Sequence, residues 1–441
     1  MNLADKVRLA GVVGAGGGGF PAHVKLTARA EYVIANGAEC EPLLHKDAVI
    51  METQAARLVR GMQLAMEAVG AAHGVIGIKA KKKHAVEVVQ AACAGTTVRV
   101  HLLGDYYPAG DEYDLVYSVT GRLIPPGGIP IHVGAVVNNV ETLVNIAEAA
   151  EQDRPVTHKT LTIAGAVRTP VTFTVPIGTS LRECVERAAG GFATDDPVYS
   201  LGGLMMGEVT EDLDRPVTKT TTGVVVLPRG HHLMERKLKK PAVQAKIGKS
   251  ACDQCRYCTE YCPRYLLGYA VEPHQVMRTL AFTATGAAYF NQFAALCCSC
   301  GLCTLFACPE ELYPKEACDA SKAEMRAANV KWTGPSEVKV HPLRDGRRVP
   351  IKTLARRMHV LQYDVPAPWS ATVLEPQRVV LPLRQGAGAP GQPLVQVGAR
   401  VAAGQPLTAI PDKALGSIIH APFAATVAEL TPSQLVLTRT P

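Results

Sequence analysis

Nowhere in its 441 residues does this chain hold an apolar run approaching the roughly 18 residues of a membrane span. Residues 1–20 are charged early and glycine-rich later, without the apolar core of a secretory signal, so the expected location is the cytoplasm. Aromatic residues are scarce at 5%, and no stretch interleaves them with basic ones. The formal net charge of +7 is mild for this length. These shortages argue against a nucleic-acid partner and leave room for an acidic partner or an anionic ligand. Disulfides are not expected, because the cytosol keeps thiols reduced.

What the chain does have is apolar material and cysteine. Hydrophobic residues reach 47% against 19% charged, ample for packed cores. At about 150 residues per domain, the length suggests roughly three domains. Nine of the 13 cysteines lie between Cys252 and Cys308. Cys40, Cys93, Cys184 and Cys318 stand apart and read as core or structural thiols.

Residues 1–150 alternate buried strand signals (Tyr32–Ala35, Gly74–Ile78) with helical periodicity over 48–70 and 81–92, the pattern of a Rossmann-like, doubly wound α/β domain. Residues 157–228 read as a small α+β module: strands at Leu161–Gly165 and Val171–Val175, a helix over 180–189 and a closing strand at Gly223–Pro228. A basic connector over 229–250 carries Arg236, Lys237, Lys239, Lys240, Lys246 and Lys249. The cysteine-dense domain spans 251–330. Residues 331–441 are poor in helix signals; over 378–438, short β runs between Gly/Pro turns predict a small all-β barrel or sandwich after a linker.

Cys252-x2-Cys255-x2-Cys258-x3-Cys262-Pro263 is the bacterial ferredoxin run, whose fourth cysteine belongs to the other cluster. Cys297-x2-Cys300-x2-Cys303-x4-Cys308-Pro309 repeats it with one extra residue before the last cysteine. Crossed ligation assigns one [4Fe–4S] cluster to Cys252, Cys255, Cys258 and Cys308, and the other to Cys262, Cys297, Cys300 and Cys303. Cys298 leaves open which of the adjacent pair is the ligand. A zinc site needs only four ligands, usually as two separated pairs, so two runs of four each closed by Cys-Pro favour a ferredoxin-like dicluster domain.

Gly14-Ala15-Gly16-Gly17-Gly18-Gly19-Phe20-Pro21 is a loop whose backbone turns sharply and brings N–H groups to a phosphate or a flavin edge. Lys25 follows as a counter-charge. Asn36, Glu39 and Glu41 come after a predicted strand, and Asn138-Asn139 close the domain; strand ends are where an α/β sheet binds its ligand.

Gly14 to Lys25, the string Asn36–Glu39–Glu41–Pro42 with Lys46-Asp47, and Asn138-Asn139-Val140-Glu141-Thr142 together resemble the FMN site of the NADH-binding subunit of respiratory complex I. Tyr107-Pro108-Ala109-Gly110-Asp111-Glu112 resembles the corresponding stretch of RnfC, the peripheral subunit of Rnf complexes. These motifs cover most of residues 10–145. The resemblance implies noncovalent FMN with NADH stacked over it. It implies that Gly14, Gly16, Gly17 and Gly19 cradle the flavin and Lys25 offsets its phosphate. Asn36, Asn138 and Asn139 would then bond ring or ribityl oxygens, and Glu39, Glu41 and Glu112 a ribose, favouring NADH over NADPH. Phe20 packs on a ring or in the core. Residues 157–228 resemble the β-grasp-like SLBB module.

In RnfC the barrel–sandwich segment precedes the flavin domain; here a similar segment, from Gly398 to Pro422, comes last. That order resembles PduS-type cobalamin reductases of propanediol-utilising bacterial microcompartments, over nearly the whole chain. RnfC-like proteins of other microcompartments remain a second family. The segment also resembles lipoyl and biotinyl carrier folds, with Lys413 its one lysine; a structural or docking role is expected, because fold alone does not carry function.

The implied route runs from NADH to FMN, through two [4Fe–4S] clusters, to a corrinoid. Flavin takes two electrons together and releases them singly, whereas the clusters carry one at a time. No side chain need act as a nucleophile. His231, His232 and His274 are corrinoid-ligand candidates. The alternative is an electron-transfer subunit serving a ferredoxin, a cluster-bearing shell protein or a radical-activating enzyme, with the basic connector as dock. A shell protein or an adenosyltransferase would be a further partner, inside a microcompartment.

Overall fold

The computed structural model describes residues 1–280, 291–411 and 414–440. The β-branched runs of the first third form β1 (Tyr32–Gly37), β2 (His73–Lys79), β3 (Val98–Leu103) and, after the two-residue β4 (Tyr106–Tyr107), β5 (Ala135–Asn139). Four of these make a parallel sheet in the order β3-β2-β1-β5. Side chains of β1 alternate between faces. Val33 and Ala35 enter the core under helices 55–69, 83–93 and 140–152, while Ile34 meets Leu115, Val116 and Val137 on the other face. With both faces covered the sheet is doubly wound, as its strand–helix alternation predicts. The strand order reverses between β1 and β5, and a doubly wound sheet opens its binding crevice at that switch point. Asn36 and Asn139 are register partners there.

The periodicity over 48–70 divides into two helices, Lys46–Thr53 and Ala55–Val69, because Gln54 leaves helical geometry at φ −134°. The break places the start of the first helix beside the carboxyl end of β1. In the second helix, Gly61 lies against helix 140–152: a Cβ there would come within 2.0 Å of the Leu143 carbonyl oxygen.

A second sheet combines β6 (His158–Gly165), β7 (Val171–Pro176), β8 (Pro197–Leu201), β9 (Glu208–Thr210) and β10 (Gly223–Pro228) in the order β7-β6-β10-β8-β9. Helix Leu181–Ala188 packs Leu181, Cys184 and Val185 into its core. The cysteine region is built from short helices, several opened by proline at the first turn (Pro241, Pro263, Pro273, Pro314), where its missing N–H costs nothing.

Residues 331–377 are less of a linker than their composition predicts. β11 (Val349–Pro350) pairs with β4, and helix Ile351–Arg357 buries Leu354 and Ala355 against Tyr107, Leu302 and Leu305. The stretch straps the cysteine region to the first domain. The last strands, β12 (Arg378–Pro382), β13 (Gln392–Pro393), β14 (Arg400–Val401), β15 (Thr408–Ala409), β16 (Ala425–Leu430) and β17 (Gln434–Arg439), form two small antiparallel sheets. Their core is continuous with that of the first domain: Val379, Leu381, Ile419 and Phe423 belong to one apolar cluster with Val7 and Val12. Lys413 lies outside the described residues.

Candidate functional site

The glycine loop is pinned at its base. Gly14 N–H donates to the Phe20 carbonyl (2.9 Å) and Gly19 N–H to the Gly14 carbonyl (3.1 Å). Its tip is open: a Cβ on Gly17 or Gly18 would meet nothing within 4 Å. The tip faces a cavity of about 1210 Å³ at the β1/β5 switch point, larger than the roughly 300–1,000 Å³ of a typical small-ligand pocket. Seven of the flavin and nucleotide candidates line it: Gly16, Gly17, Asn36, Glu39, Glu41, Glu112 and Asn139.

Beneath the cavity lies a buried charge network that pattern reading touched only in part. Lys46 Nζ donates to Asp47 (2.6 Å) and Glu141 (3.0 Å). Lys159, from β6, also donates to Glu141 and reaches the Ala15 carbonyl (2.8 Å), so the second sheet holds the glycine loop from behind. Burial opposes the Lys46 charge, but Asp47 and Glu141 outweigh it and raise its pKa. Burial, with only Glu141 as close partner, lowers Lys159 to about 8. Asn139 caps helix 140–152 by accepting from Glu141 N–H (3.0 Å), and its Nδ2 donates to Asp47 (3.0 Å). Glu39 accepts from Asp47 N–H (2.7 Å) at the start of helix 46–53; burial, then Asp47, raises its pKa.

The remaining candidates sit elsewhere. Gly14 and Gly19 form the loop's base. Phe20 is half-buried behind it and does not line the cavity. Lys25 Nζ donates to the Val137 carbonyl (2.6 Å) and pairs with Glu112 (3.8 Å), so it is committed away from the loop tip. Asn138 points to the opposite face of β5, with a buried Nδ2 that has no partner. Glu41 lines the cavity, yet its carboxylate accepts from the Met205 and Met206 amides (2.8 and 2.9 Å), tying the first domain to the second. Asn36 bridges to the Gly110 carbonyl (2.9 Å).

The far wall comes from distant chain. Residues from 202 to 222 of the second module, Arg384–Gly386 of the C-terminal barrel, and Cys298 and Cys300 all contribute to it. Tyr107, 2% exposed, donates its hydroxyl to the Cys300 carbonyl (2.6 Å) and joins the cavity to the cysteine region. Arg264 adds a second tie: it pairs with Asp111 (2.9 Å), and its charge lies close to the Cys298 thiol.

The cysteines gather into two sets. Cys252, Cys255 and Cys308 surround Cys258, whose thiol burial and those neighbours push up to about 12. Cys262 neighbours Cys297 and Cys298, and Cys300 neighbours Cys303 and Cys262. Cys303 neighbours Cys258 as well as Cys297 and Cys262, so the two sets adjoin. Thiol-only donor sets in these two runs fit [4Fe–4S] clusters. The backbone repeats too: Gln254 and Arg256 have φ 60° and 70°, and Ser299 and Gly301 have 57° and 82°. That alignment pairs Cys297, not Cys298, with Cys252. The extra residue of the second run is absorbed in a π-helical turn, Cys303–Ala307, closed by Cys308 N–H to the Cys303 carbonyl (3.1 Å).

The flavin-type cradle fits as well. The open glycine tip and the surplus cavity volume beside it are what a bound flavin and its phosphate would use. The histidine candidates face elsewhere: His231 caps helix 232–237, His232 pairs with Glu311 (3.0 Å), and His274 contacts Thr259 (2.8 Å). In the connector, Arg236 is buried against the Thr304 and Glu311 carbonyls (3.0 and 2.8 Å) and Lys237 bonds the Gly207 carbonyl (3.1 Å). Lys239, Lys240, Lys246 and Lys249 are exposed.

Such a crevice, with two thiol sets beside it, defines a flavin and iron–sulfur electron-transfer protein. Its parts match the Nuo51 FMN-binding domain (residues 7–148), the SLBB domain (160–209), the 4Fe-4S dicluster domain (251–313) and the RnfC barrel sandwich hybrid domain (370–440). Along its whole length the chain is 41% identical to "Cobalamin reductase PduS" of Citrobacter freundii, covering 100% of this chain and 97% of that protein. It is 42% identical to the Salmonella typhimurium protein of the same name, over 99% of this chain and 96% of that one. A component of the proton-translocating ferredoxin:NAD(+) oxidoreductase complex of Clostridium ljungdahlii is 36% identical, over 59% of this chain and 55% of that one. The chain belongs to the PduS cobalamin reductase family.

Proposed function

We propose that this chain is an NADH-dependent reductase that delivers electrons to a corrinoid. The observation that carries the reading is the shared wall: Cys298 and Cys300 line the same cavity as Gly16, Gly17 and Asn139. When bound, FMN would take a hydride's electron pair and the clusters would pass the electrons singly. The protein's residues bind and orient. Gly16–Gly18 present backbone N–H groups, while Asn36 and Asn139 hold the strand ends through Gly110 and Asp47. Cys252, Cys255, Cys258 and Cys308 would hold one cluster, and Cys262, Cys297, Cys300 and Cys303 the other. Glu39 and Glu112 put two carboxyl groups on the cavity wall, and a carboxylate there disfavours a 2′-phosphate and supports NADH over NADPH. The resemblance to PduS proteins supports the corrinoid acceptor and a place in a microcompartment.

The test is an anaerobic NADH titration of the reconstituted protein, then aquacobalamin, followed by visible absorption. Flavin bleaching and catalytic formation of cob(II)alamin are expected. Bleaching with turnover no faster than in a cluster-less variant would contradict the corrinoid acceptor. A second reading rests on one observation: exposed Lys246 and Lys249 lie on the helix leading into Cys252, beside the exposed Cys255. They would suit an acidic redox-protein acceptor.

A further inference from the structure

Three cationic side chains line the cavity: Lys46, Arg215 and Arg384. Lys46 is neutralised by Asp47 and Glu141. Arg215 pairs with Glu208 (3.3 Å). Lys25, the cation nearest the glycine loop in sequence, is turned to Val137 and Glu112 and does not line the cavity. Arg384 alone of the three has no ion pair or side-chain hydrogen bond among the described residues. It follows β12, in the C-terminal barrel.

The barrel holds Arg384 close to the glycine loop by backbone contact. Ala387 N–H donates to the Gly19 carbonyl (3.0 Å). Gly386 has φ +146°, and a Cβ there would fall 2.4 Å from the Gly19 oxygen, so only glycine allows the approach. Lys219 fastens the same seam, donating to the Gly11 carbonyl (2.7 Å), the Ile418 carbonyl (2.6 Å) and Ser417 Oγ (2.8 Å). Arg384 is therefore presented on a braced segment beside the Gly16–Gly18 tip. Backbone N–H groups and an unpaired guanidinium lining one cavity are the chemistry of phosphoryl recognition.

We propose that Arg384 and the Gly16–Gly18 backbone form a phosphoryl subsite, so that the C-terminal barrel completes the ligand cavity. The inference rests on the flavin and dinucleotide reading above. The phosphoryl group belongs either to the flavin or to the dinucleotide, and one pair of titrations separates the two.

The experiment uses full-length, cluster-loaded protein and its Arg384→Gln and Arg384→Lys variants. FMN and riboflavin binding are measured by flavin fluorescence, and NADH binding to the flavin-loaded protein by equilibrium titration with an NADH analogue that cannot be oxidised. If Arg384 holds the flavin phosphate, Arg384→Gln weakens FMN about tenfold, leaves riboflavin unchanged and is partly rescued by Arg384→Lys. If it holds the dinucleotide, FMN is unchanged and the analogue weakens about tenfold. Unchanged affinity for both in Arg384→Gln overturns the subsite and leaves the proposed function standing. Failure of the wild-type protein to bind FMN or the analogue overturns the proposed function, and the subsite with it.

Discussion

The two cysteine runs share a ligand pattern and a backbone pattern, yet they occupy different settings. The set around Cys300 is walled in: Cys300 and Cys303 are buried, Tyr107 donates to the Cys300 carbonyl, and Cys298 and Cys300 face the cavity. The set around Cys258 reaches solvent through Cys255 and adjoins a helix with exposed lysines. Equivalent thiol runs are thus placed in an inner and an outer setting, and the difference between them lies in the surroundings rather than in the residues of the runs. Charges follow the same division. Inner ones are buried and paired, as in Lys46, Glu141 and Lys159, whereas the outer Lys246 and Lys249 are solvated.

The largest effect should come from the ligands themselves. Reconstituted protein should hold about eight irons as two cubanes. Cys297→Ser should fall to about four, whereas Cys298→Ser should keep about eight, because φ repeats align Cys297 with Cys252. The reverse outcome in an iron assay would break the equivalence of the runs.

Next in size is the charge beneath the inner station. Lys159→Met takes one of two cations from the buried Glu141 and frees the Ala15 carbonyl. Denaturant unfolding should show a loss of about 3 kcal/mol. Lys249→Met, at the outer station, should stay within about 0.5 kcal/mol. Equal losses would erase the contrast.

The smallest effect concerns acid. His45, beside the inner network, is lowered to about 4 by burial and then by Lys82, from an ordinary value of 6.5. The unfolded chain therefore takes up a proton here before the folded one, and stability falls as pH drops from about 6.5 toward 4. His45→Gln should remove that component, seen as a shallower fall in melting temperature over the same range; an unchanged slope would exclude His45 as its source.

Much of this was legible in the chain. Parallel strands declared themselves through β-branched runs, and both cysteine runs through spacing. Gly16, Gly17, Asn36, Asn139, Glu39, Glu41 and Glu112 converged because strand ends gather at a switch point. Three features were not legible. Gln54 breaks a periodic stretch without proline or glycine to mark it. Lys25 has a phosphate-binding position in sequence but is captured by a carbonyl 112 residues away. The far wall, from Glu41's grip on the Met205 and Met206 amides to Arg384, depends on packing between segments more than 150 residues apart. The π-turn lies between these cases: an extra residue was visible, but its accommodation was a matter of backbone geometry.

The most direct test of an inner and an outer station is EPR of two variants, each keeping one cluster, reduced anaerobically by NADH and separately by dithionite. Cys255→Ser should retain the inner signal with either reductant. Cys300→Ser should show the outer signal with dithionite but not with NADH. Prompt NADH reduction of the outer cluster in Cys300→Ser would contradict the account.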